Sequence, residues 1–422
     1  MTECVSTSRR SLNEYTSLLG EECIQELREL AAPLCGCKVL HLNATASGGG
    51  VAEILKTLVP LMCDVGLNTE WHVMQGAHEF YKVTKAMHNG LQGMPIRLKS
   101  DMKDTWLKYN ALNADILNSN GTYDFVVVHD PQPAGVLQLL HDRNGHRNLG
   151  IWIWRCHLDF SNPRPGIWRF LKPYVDVYDA AIFTRADYFP KGLRGPRCFE
   201  VPPGIDPLST KNQLLDNGEA LDILRRYGVD PARPFILKVS RFDPWKDFRG
   251  IIDIYDLLKK EFPQLQLVLI GGGAGDDPEA LSCYRRTFAY TQGKRDIHIL
   301  WGKNGVGSPE LNAFQQRASV IVQRSIREGF GLVVAEALWK GRPVVASDVG
   351  GISLQISHGE SGYLARSNSD WVEAITHLLR NNNTANSFGS AGRRFVQKKF
   401  LITRYLRDYL KIFSDLASLQ HN

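Results

Sequence analysis

The sequence contains no Asp-x-Asp triplet, and so lacks the acidic pair that would hold a divalent cation against a diphosphate; no metal is expected. No apolar run reaches the length of a membrane-spanning helix. The stretch from Met1 to Gly20 has no apolar core of the kind a secretory leader needs, so a cytoplasmic protein with no membrane partner is expected. The eight cysteines (Cys4, Cys23, Cys35, Cys37, Cys63, Cys156, Cys198, Cys283) lack paired zinc spacing, and Cys35-Gly-Cys37 stands alone. They read as reduced thiols. Charge of one sign is also scarce. The chain carries 50 Lys and Arg against 44 Asp and Glu, a net charge of +6, with no long basic block. Nothing here supports a nucleic-acid partner, whereas a mildly positive surface suits a small anionic ligand.

The chain does have many short apolar runs alternating with segments of helical period. The runs include Lys38–Asn43, Phe125–His129, Ile151–Arg155, Phe235–Ser240, Gln266–Ile270, Ile297–Trp301, Ser319–Gln323 and Pro343–Ala346. That alternation implies an α/β protein with parallel sheets covered by helices on both faces. With 422 residues the chain exceeds one ordinary core and fits two domains. No solenoid-type repeat is present. A Pro/Gly-rich break at Val201-Pro-Pro-Gly-Ile-Asp-Pro-Leu-Ser-Thr disfavours helix and suits a linker. The expected domains are therefore 1–207 and 212–399, with a C-terminal helix of about 400–422 returning to the first. Glu21–Ala31 reads as an added helix, and Phe395–Leu416 as a basic amphipathic helix, best explained by packing of its apolar stripe, with a membrane-surface role as the lesser alternative.

In open parallel sheets, ligands bind beyond the carboxyl ends of strands, and the polar residues of this chain gather there. After Lys38–Asn43 come Ser47-Gly-Gly-Gly50 and a helix from about Val51. The glycines let a ligand approach the backbone of Gly49 and Gly50, and the helix start offers free N–H groups. This loop is not G-x-G-x-x-G, so a nicotinamide cofactor is not indicated. After Phe125–Val128 come His129 and Asp130; after Ile151–Trp154 come Arg155, His157 and Asp159. His157 could hold a sugar hydroxyl or simply brace its loop. Asp130 and Asp159 are candidates for acceptor hydroxyls. Glu79, Lys85, His88 and Asn89 form a polar segment beside Tyr81 that composition alone assigns to a solvated loop or helix.

The second half has the sharper pattern. Arg241 follows Phe235–Ser240, with Lys246 five residues on. Fixed cations there would stabilise a departing diphosphate; otherwise they are surface charges of a loop. Glu328-Gly-Phe-Gly-Leu-Val-Val-Ala-Glu336 then joins a strand to a helix. Gly329 and Gly331 permit a tight turn that aims the amides of Phe330, Gly331 and Leu332 outward as an anion nest. Glu336 lies about one turn into the helix, where a carboxylate can accept two sugar hydroxyls. Failing that, Glu328 is a helix-start carboxylate and Glu336 an exposed one.

These stretches resemble the retaining glycosyltransferases of the GT-B fold, in the large family numbered four, and more narrowly the trehalose glycosyltransferring synthases. The broad likeness rests on Val239-Ser-Arg-Phe-Asp-Pro-Trp-Lys246 and Arg327-Glu-Gly-Phe-Gly-Leu-Val-Val-Ala-Glu336. The narrow one rests on Phe80-Tyr-Lys-Val-Thr-Lys-Ala-Met-His-Asn-Gly-Leu-Gln-Gly93, His129-Asp-Pro-Gln-Pro133, Trp154-Arg-Cys-His-Leu-Asp159 and Pro202-Pro-Gly-Ile-Asp-Pro207. Together they cover about Val39 to Leu410. The resemblance implies two Rossmann-like domains with the site between them. It implies Arg241 and Lys246 on the diphosphate, Glu328 on the donor sugar, Glu336 on the ribose and His157 on the sugar's far edge. Gly49, Gly50, Gly329, Phe330, Gly331 and Leu332 would line the nucleotide-sugar site, and Glu79, Asp130 and Asp159 the acceptor. The implied reaction moves an α-glucosyl group between a nucleoside diphosphate and glucose, forming or cleaving α,α-trehalose, with no further cofactor; a homodimer is compatible with it. The chain departs from the pattern in one place. Many members carry a basic residue shortly after the first glycine loop, and this chain has Val51-Ala52-Glu53, which favours a neutral sugar there over the diphosphate.

A same-face displacement without metal is the mechanism these residues suggest. A glycosidase would need an acid and a nucleophile flanking the bond, and Glu328 and Glu336 stand in the wrong kind of motif for that. Three alternatives remain open: a phosphorylase that releases glucose 1-phosphate, a transferase with another acceptor, and a sugar-nucleotide-binding protein without turnover.

Overall fold

The most apolar runs of the sequence form the middles of two sheets. In the computed structural model of the chain, the described residues are 3–119, 121–144, 149–272, 279–301 and 306–420. They divide into two compact units. One comprises the described residues within Met1–Gly204 and Ile402–Asn422; the other comprises those within Ile205–Leu401, apart from a few residues outside the described set.

The first unit holds strands β1 (Glu3–Cys4), β2 (Lys38–Asn43), β3 (Asn68–Val73), β4 (Phe125–His129), β5 (Ile151–Arg155), β6 (Ala180–Phe183) and β7 (Arg197–Glu200), in the order β1-β3-β2-β4-β5-β6-β7. All pairings are parallel except that of β1 on β3. β4 and β5 are buried along their whole length, as expected of central parallel strands covered on both faces. On one side they meet a core that includes Trp106, Trp154, Phe160, Leu171 and Phe183.

The second unit holds β8 (Phe235–Val239), β9 (Gln266–Gly271), β10 (Ile297–Trp301), β11 (Val320–Gln323), β12 (Val344–Ser347) and β13 (Gly362–Ala365), in the order β10-β9-β8-β11-β12-β13. Every pairing is parallel. This is the dinucleotide-fold order, in which the chain winds one way from β8 and then reverses between β8 and β11. The first unit reverses likewise between β2 and β4. Crevices for ligands open at such reversals, beyond the carboxyl ends of the strands.

Some elements differ from expectation. β12 starts at Val344 instead of Pro343, because proline has no N–H for a ladder; its carbonyl still accepts from the Ile321 amide. The single helix expected over Phe395–Leu416 is two helices, Asn382–Lys399 and Ile402–Gln420. The break falls where Phe400 is buried against Phe330 and Phe395 and Leu401 bridges Ile205. Those contacts hold both residues outside the two helices. The second helix buries Tyr405, Leu406, Tyr409, Leu410 and Phe413, so its apolar stripe is used for packing; residues 421–422 of the expected span lie outside the described ones. His78–Leu91 is a helix, and within it Lys85 and Asn89 are buried, which corrects the solvated reading of that segment. Glu336, the exposed carboxylate of the alternative reading, is fully buried.

Candidate active site

In the second unit the reversal between β8 and β11 carries a network of charge. Lys246 ends a short 3-10 turn, Pro244–Lys246, whose start is capped by the buried Asp243 accepting from the Trp245 amide at 2.9 Å. Its Nζ meets Glu328 Oε2 at 2.6 Å. The same oxygen accepts from Ser325 Oγ at 3.1 Å and from Gln323 Nε2 at 3.3 Å. The Glu328 carbonyl accepts from the Gly351 amide at 3.0 Å. Both ends of the residue are therefore fixed, at the mouth of β11. Arg241 is partly exposed, with Nη2 3.7 Å from Asp243 Oδ2.

The turn after Glu328 is tight because Gly331 has φ +85°, where a Cβ would also come within 3.1 Å of the Glu328 side chain. The helix Leu332–Trp339 starts there. Among the described residues the amides of Phe330, Gly331 and Leu332 make no hydrogen bond, as expected at a helix start. Gln355 Nε2 holds the Phe330 carbonyl at 2.6 Å from behind. The loop is thus braced through its carbonyls, with its N–H groups left over, the geometry of an anion nest.

Glu336 does not join the Glu328 network. Its carboxylate faces Lys211 at 2.7 Å and Gln315 at 3.2 Å, and Lys340 reaches Gln315 and Asn212 at 2.8 Å each. Burial pushes the Glu336 carboxyl up, but the Lys211 and Lys340 charges outweigh it, so its pKa stands below the ordinary value. A further lysine, Lys238 of β8, is wholly buried beneath the site. Its Nζ donates to the Arg324 carbonyl at 2.9 Å and lies 5.2 Å from the Phe248 ring centre. Burial, then the charge of Lys246, lowers its pKa to about 7.

In the first unit the reversal carries an aspartate bound to a backbone amide and a row of imidazoles. Asp130 follows β4 with φ +63°, a conformation that costs a non-glycine residue about 1–3 kcal/mol unless its surroundings enforce it. Its Oδ1 accepts from the His157 amide at 2.8 Å, its amide donates to the Arg155 carbonyl, and its own carbonyl accepts from Trp154 Nε1 at 2.9 Å. Asp130 and His157 are thereby locked together across β4 and β5. The His157 ring continues into a chain: Nε2 lies 3.0 Å from His129 Nδ1, and His129 Nε2 lies 3.0 Å from His41 Nδ1. Burial, then neighbouring charge including Arg155, holds His129 and His157 well below the usual histidine pKa, and burial takes His41 to about 3. All three imidazoles are neutral at neutral pH.

The other candidates stand apart. Glu79 is exposed in the first turn of the helix His78–Leu91, where its Oε1 accepts from Tyr109. Asp159 is buried, its Oδ1 accepting from the Ser161 amide at 3.1 Å and Oγ at 2.6 Å. Gly49 caps the helix Gly50–Asp64, and a Cβ there would meet nothing within 4 Å; Gly48, with φ +82°, is the glycine the turn itself requires. Residues absent from the sequence reading of the site are His41, Lys211, Gln315, Gln323, Ser325 and Lys238. The end of β11 could have flagged Gln323 and Ser325, and no comparable signal marks the others. Among the described residues no three His, Cys, Asp or Glu are grouped to hold a metal ion, no helix is long and apolar enough to cross a membrane, and all eight cysteines are free.

Comparison with known proteins adds names to this geometry. The profile of the trehalose synthase N-terminal domain matches residues 41–190, and that of group 1 glycosyl transferases matches residues 222–395. A trehalose synthase of Rubrobacter xylanophilus is 46% identical over 421 residues, covering 99% of this chain and 100% of that protein. One from Pyrococcus horikoshii is 41% identical, covering 98% of each. Trehalose phosphorylases are more distant: that of Pleurotus pulmonarius is 28% identical, and the match covers 84% of this chain and 54% of that protein. Among solved structures, α,α-trehalose 6-phosphate synthase from Burkholderia multivorans superimposes with a TM-score of 0.72 at 16% identity, covering 92% of this chain and 99% of that one. That likeness establishes the fold as GT-B.

Proposed function

The chain belongs to the trehalose synthase family of GT-B glycosyltransferases, and from that premise we propose that it is a retaining glucosyltransferase, reversibly forming α,α-trehalose from a nucleoside diphosphate glucose and glucose. The observation that carries the reading is the reversal of the second unit, where Lys246 meets Glu328 at 2.6 Å beside a helix start whose amides make no hydrogen bond among the described residues. Such a place suits an anion that gains charge as it leaves.

In this reading Arg241, Lys246 and the amides of Phe330, Gly331 and Leu332 receive the diphosphate, with Gly329 giving the turn its room. Glu328 accepts hydroxyls of the donor glucose. Glu336 takes the ribose hydroxyls, with Lys211 keeping it ionised. His157 holds a hydroxyl of the donor sugar. Asp130, Asp159 and Glu79 serve the acceptor, and Gly49 and Gly50 allow the sugar to approach the backbone; the bare space around Gly49 supports this. The bond from the glucose C1 to the phosphate oxygen breaks with oxocarbenium character. The acceptor hydroxyl arrives on the same face, forms the new C1–O bond, and passes its proton to the leaving phosphate oxygen. The protein contributes position and fixed charge. We infer no need for a metal, and a cytoplasmic setting.

The test is incubation of the protein with trehalose and uridine, adenosine or guanosine diphosphate in EDTA. Free glucose with nucleotide glucose is the expected outcome. Glucose 1-phosphate formed only when inorganic phosphate replaces the nucleotide would turn the assignment to a phosphorylase, a reading the distant phosphorylase relatives keep in play.

A further inference from the structure

His41, His129 and His157 lie on one face of the first sheet. His41 pairs across β2 and β4 with Val127, and His129 pairs across β4 and β5 with Arg155. Side chains two residues apart share a face, so His129 follows Val127, and His157 follows Arg155. The rings are 5.3 Å apart at each step and nearly parallel, at 28° and 19°. At the inner end His41 Nε2 faces Met62 Sδ at 3.4 Å. His41 and Met62 are fully buried and His129 almost so, while His157 is partly exposed.

A count of protons fixes the direction of this chain. A neutral imidazole has one N–H and one bare nitrogen. Three neutral rings supply three protons. Each of the two nitrogen–nitrogen junctions needs one proton, since two bare nitrogens repel and two N–H groups clash. The third proton stands either on His41 Nε2, facing Met62, or on His157 Nδ1. A thioether can accept a hydrogen bond but cannot donate one. With the proton at the inner end the sulfur is satisfied; with it at the outer end two lone pairs face each other in a buried site. Every ring is then the Nε2–H tautomer, and Nδ1 of His157 is bare. Among the described residues that atom has no hydrogen-bond partner.

We propose that Met62, His41 and His129 are positioning residues forming a tautomer relay, which presents His157 Nδ1 as an acceptor for a hydroxyl of the donor sugar. The inference rests on the reading of His157 as a donor-sugar contact. It explains why two buried histidines stand behind a third: they choose which half of its hydrogen-bonding capacity faces the ligand. The low pKa values of the rings keep the proton count intact at neutral pH.

The experiment is nitrogen-15 NMR of the histidine-labelled full chain, whose 12 histidines are assigned by single substitutions, since imidazole nitrogen shifts separate N–H from bare nitrogen. The expected spectrum shows Nε2–H at His41, His129 and His157. Met62→Leu keeps volume but removes the acceptor; it should let the Nδ1–H set appear and lower kcat/KM for nucleotide glucose a few-fold, with KM for glucose unchanged. His41→Leu should cost roughly tenfold, the effect of one lost buried hydrogen bond. Nδ1–H at His157 in the parent overturns the relay, as do unaltered shifts and kcat/KM in Met62→Leu, which remains informative if His41→Leu fails to fold. A parent with the Nε2–H set that turns over no trehalose overturns the sugar contact alone, and separates that failure from a failure of the relay.

Discussion

At the strand reversal of the second unit, lysines and glutamates meet directly: Lys246 with Glu328 at 2.6 Å, and Lys211 with Glu336 at 2.7 Å. At the reversal of the first unit, the corresponding places hold a row of neutral imidazoles and an aspartate whose Oδ1 is bound to a backbone amide. Both reversals lie among parallel strands in sheets of related order, so the contrast lies in the side chains. Fixed charge suits a diphosphate that leaves with growing negative charge; neutral donors and acceptors suit sugar hydroxyls, which need direction more than field. One scaffold thus carries two kinds of side-chain chemistry at its strand reversals, fixed charge in the second unit and neutral imidazoles in the first.

The largest expected effect comes from opening the inner ion pair. Glu336→Leu would remove the buried carboxylate that Lys211 meets at 2.7 Å, and unfolding by urea should show a loss of about 3–5 kcal/mol, as for other broken buried pairs. A loss below about 1 kcal/mol would mean the pair is far better hydrated than its burial indicates. Next is Lys246→Ala, expected to lower kcat roughly a hundredfold, or about 2–4 kcal/mol of transition-state stabilisation; activity near that of the parent would remove the diphosphate role.

The reach of the sequence was uneven for physical reasons. Lys246 and Glu328 were legible because each follows an apolar run within a few residues, and glycines mark the turn beside Glu328. The reversals were legible as polar residues at strand ends. Lys211 was not, since its partner Glu336 lies in a different element and only the folded chain joins them. Nor was the His41–Met62 contact, which arises from a helix docking on a strand. Phe400 and Leu401 look like helix residues, and only their packing against Phe330 and Ile205 explains the break.

A third test sharpens the contrast through pH. Lys238 has a folded pKa of about 7 against an ordinary 10.5. Between those values the folded chain has shed a proton that the unfolded chain keeps, so this group makes stability rise with pH, by at most about 1.4 kcal/mol per pH unit. Below pH 7 its full cost is present and flat. Lys238→Met should abolish that increment, visible as parent and variant stability curves that diverge between pH 7 and 10; parallel curves would contradict the buried, depressed lysine. The smallest effect on the fold belongs to Gly49→Ala. With nothing within 4 Å of the new Cβ, thermal unfolding should change by less than about 0.5 kcal/mol, while kcat/KM falls because the methyl group occupies the sugar's approach. Unchanged kinetics would detach this loop from the site.

The most direct test of the account is a proton NMR time course of nucleoside diphosphate α-glucose with glucose in EDTA, following the anomeric signals as product forms. The account predicts α,α-trehalose from the first turnovers, with the parent outpacing Lys246→Ala roughly a hundredfold. A β-linked first product, or a variant as fast as the parent, would contradict it.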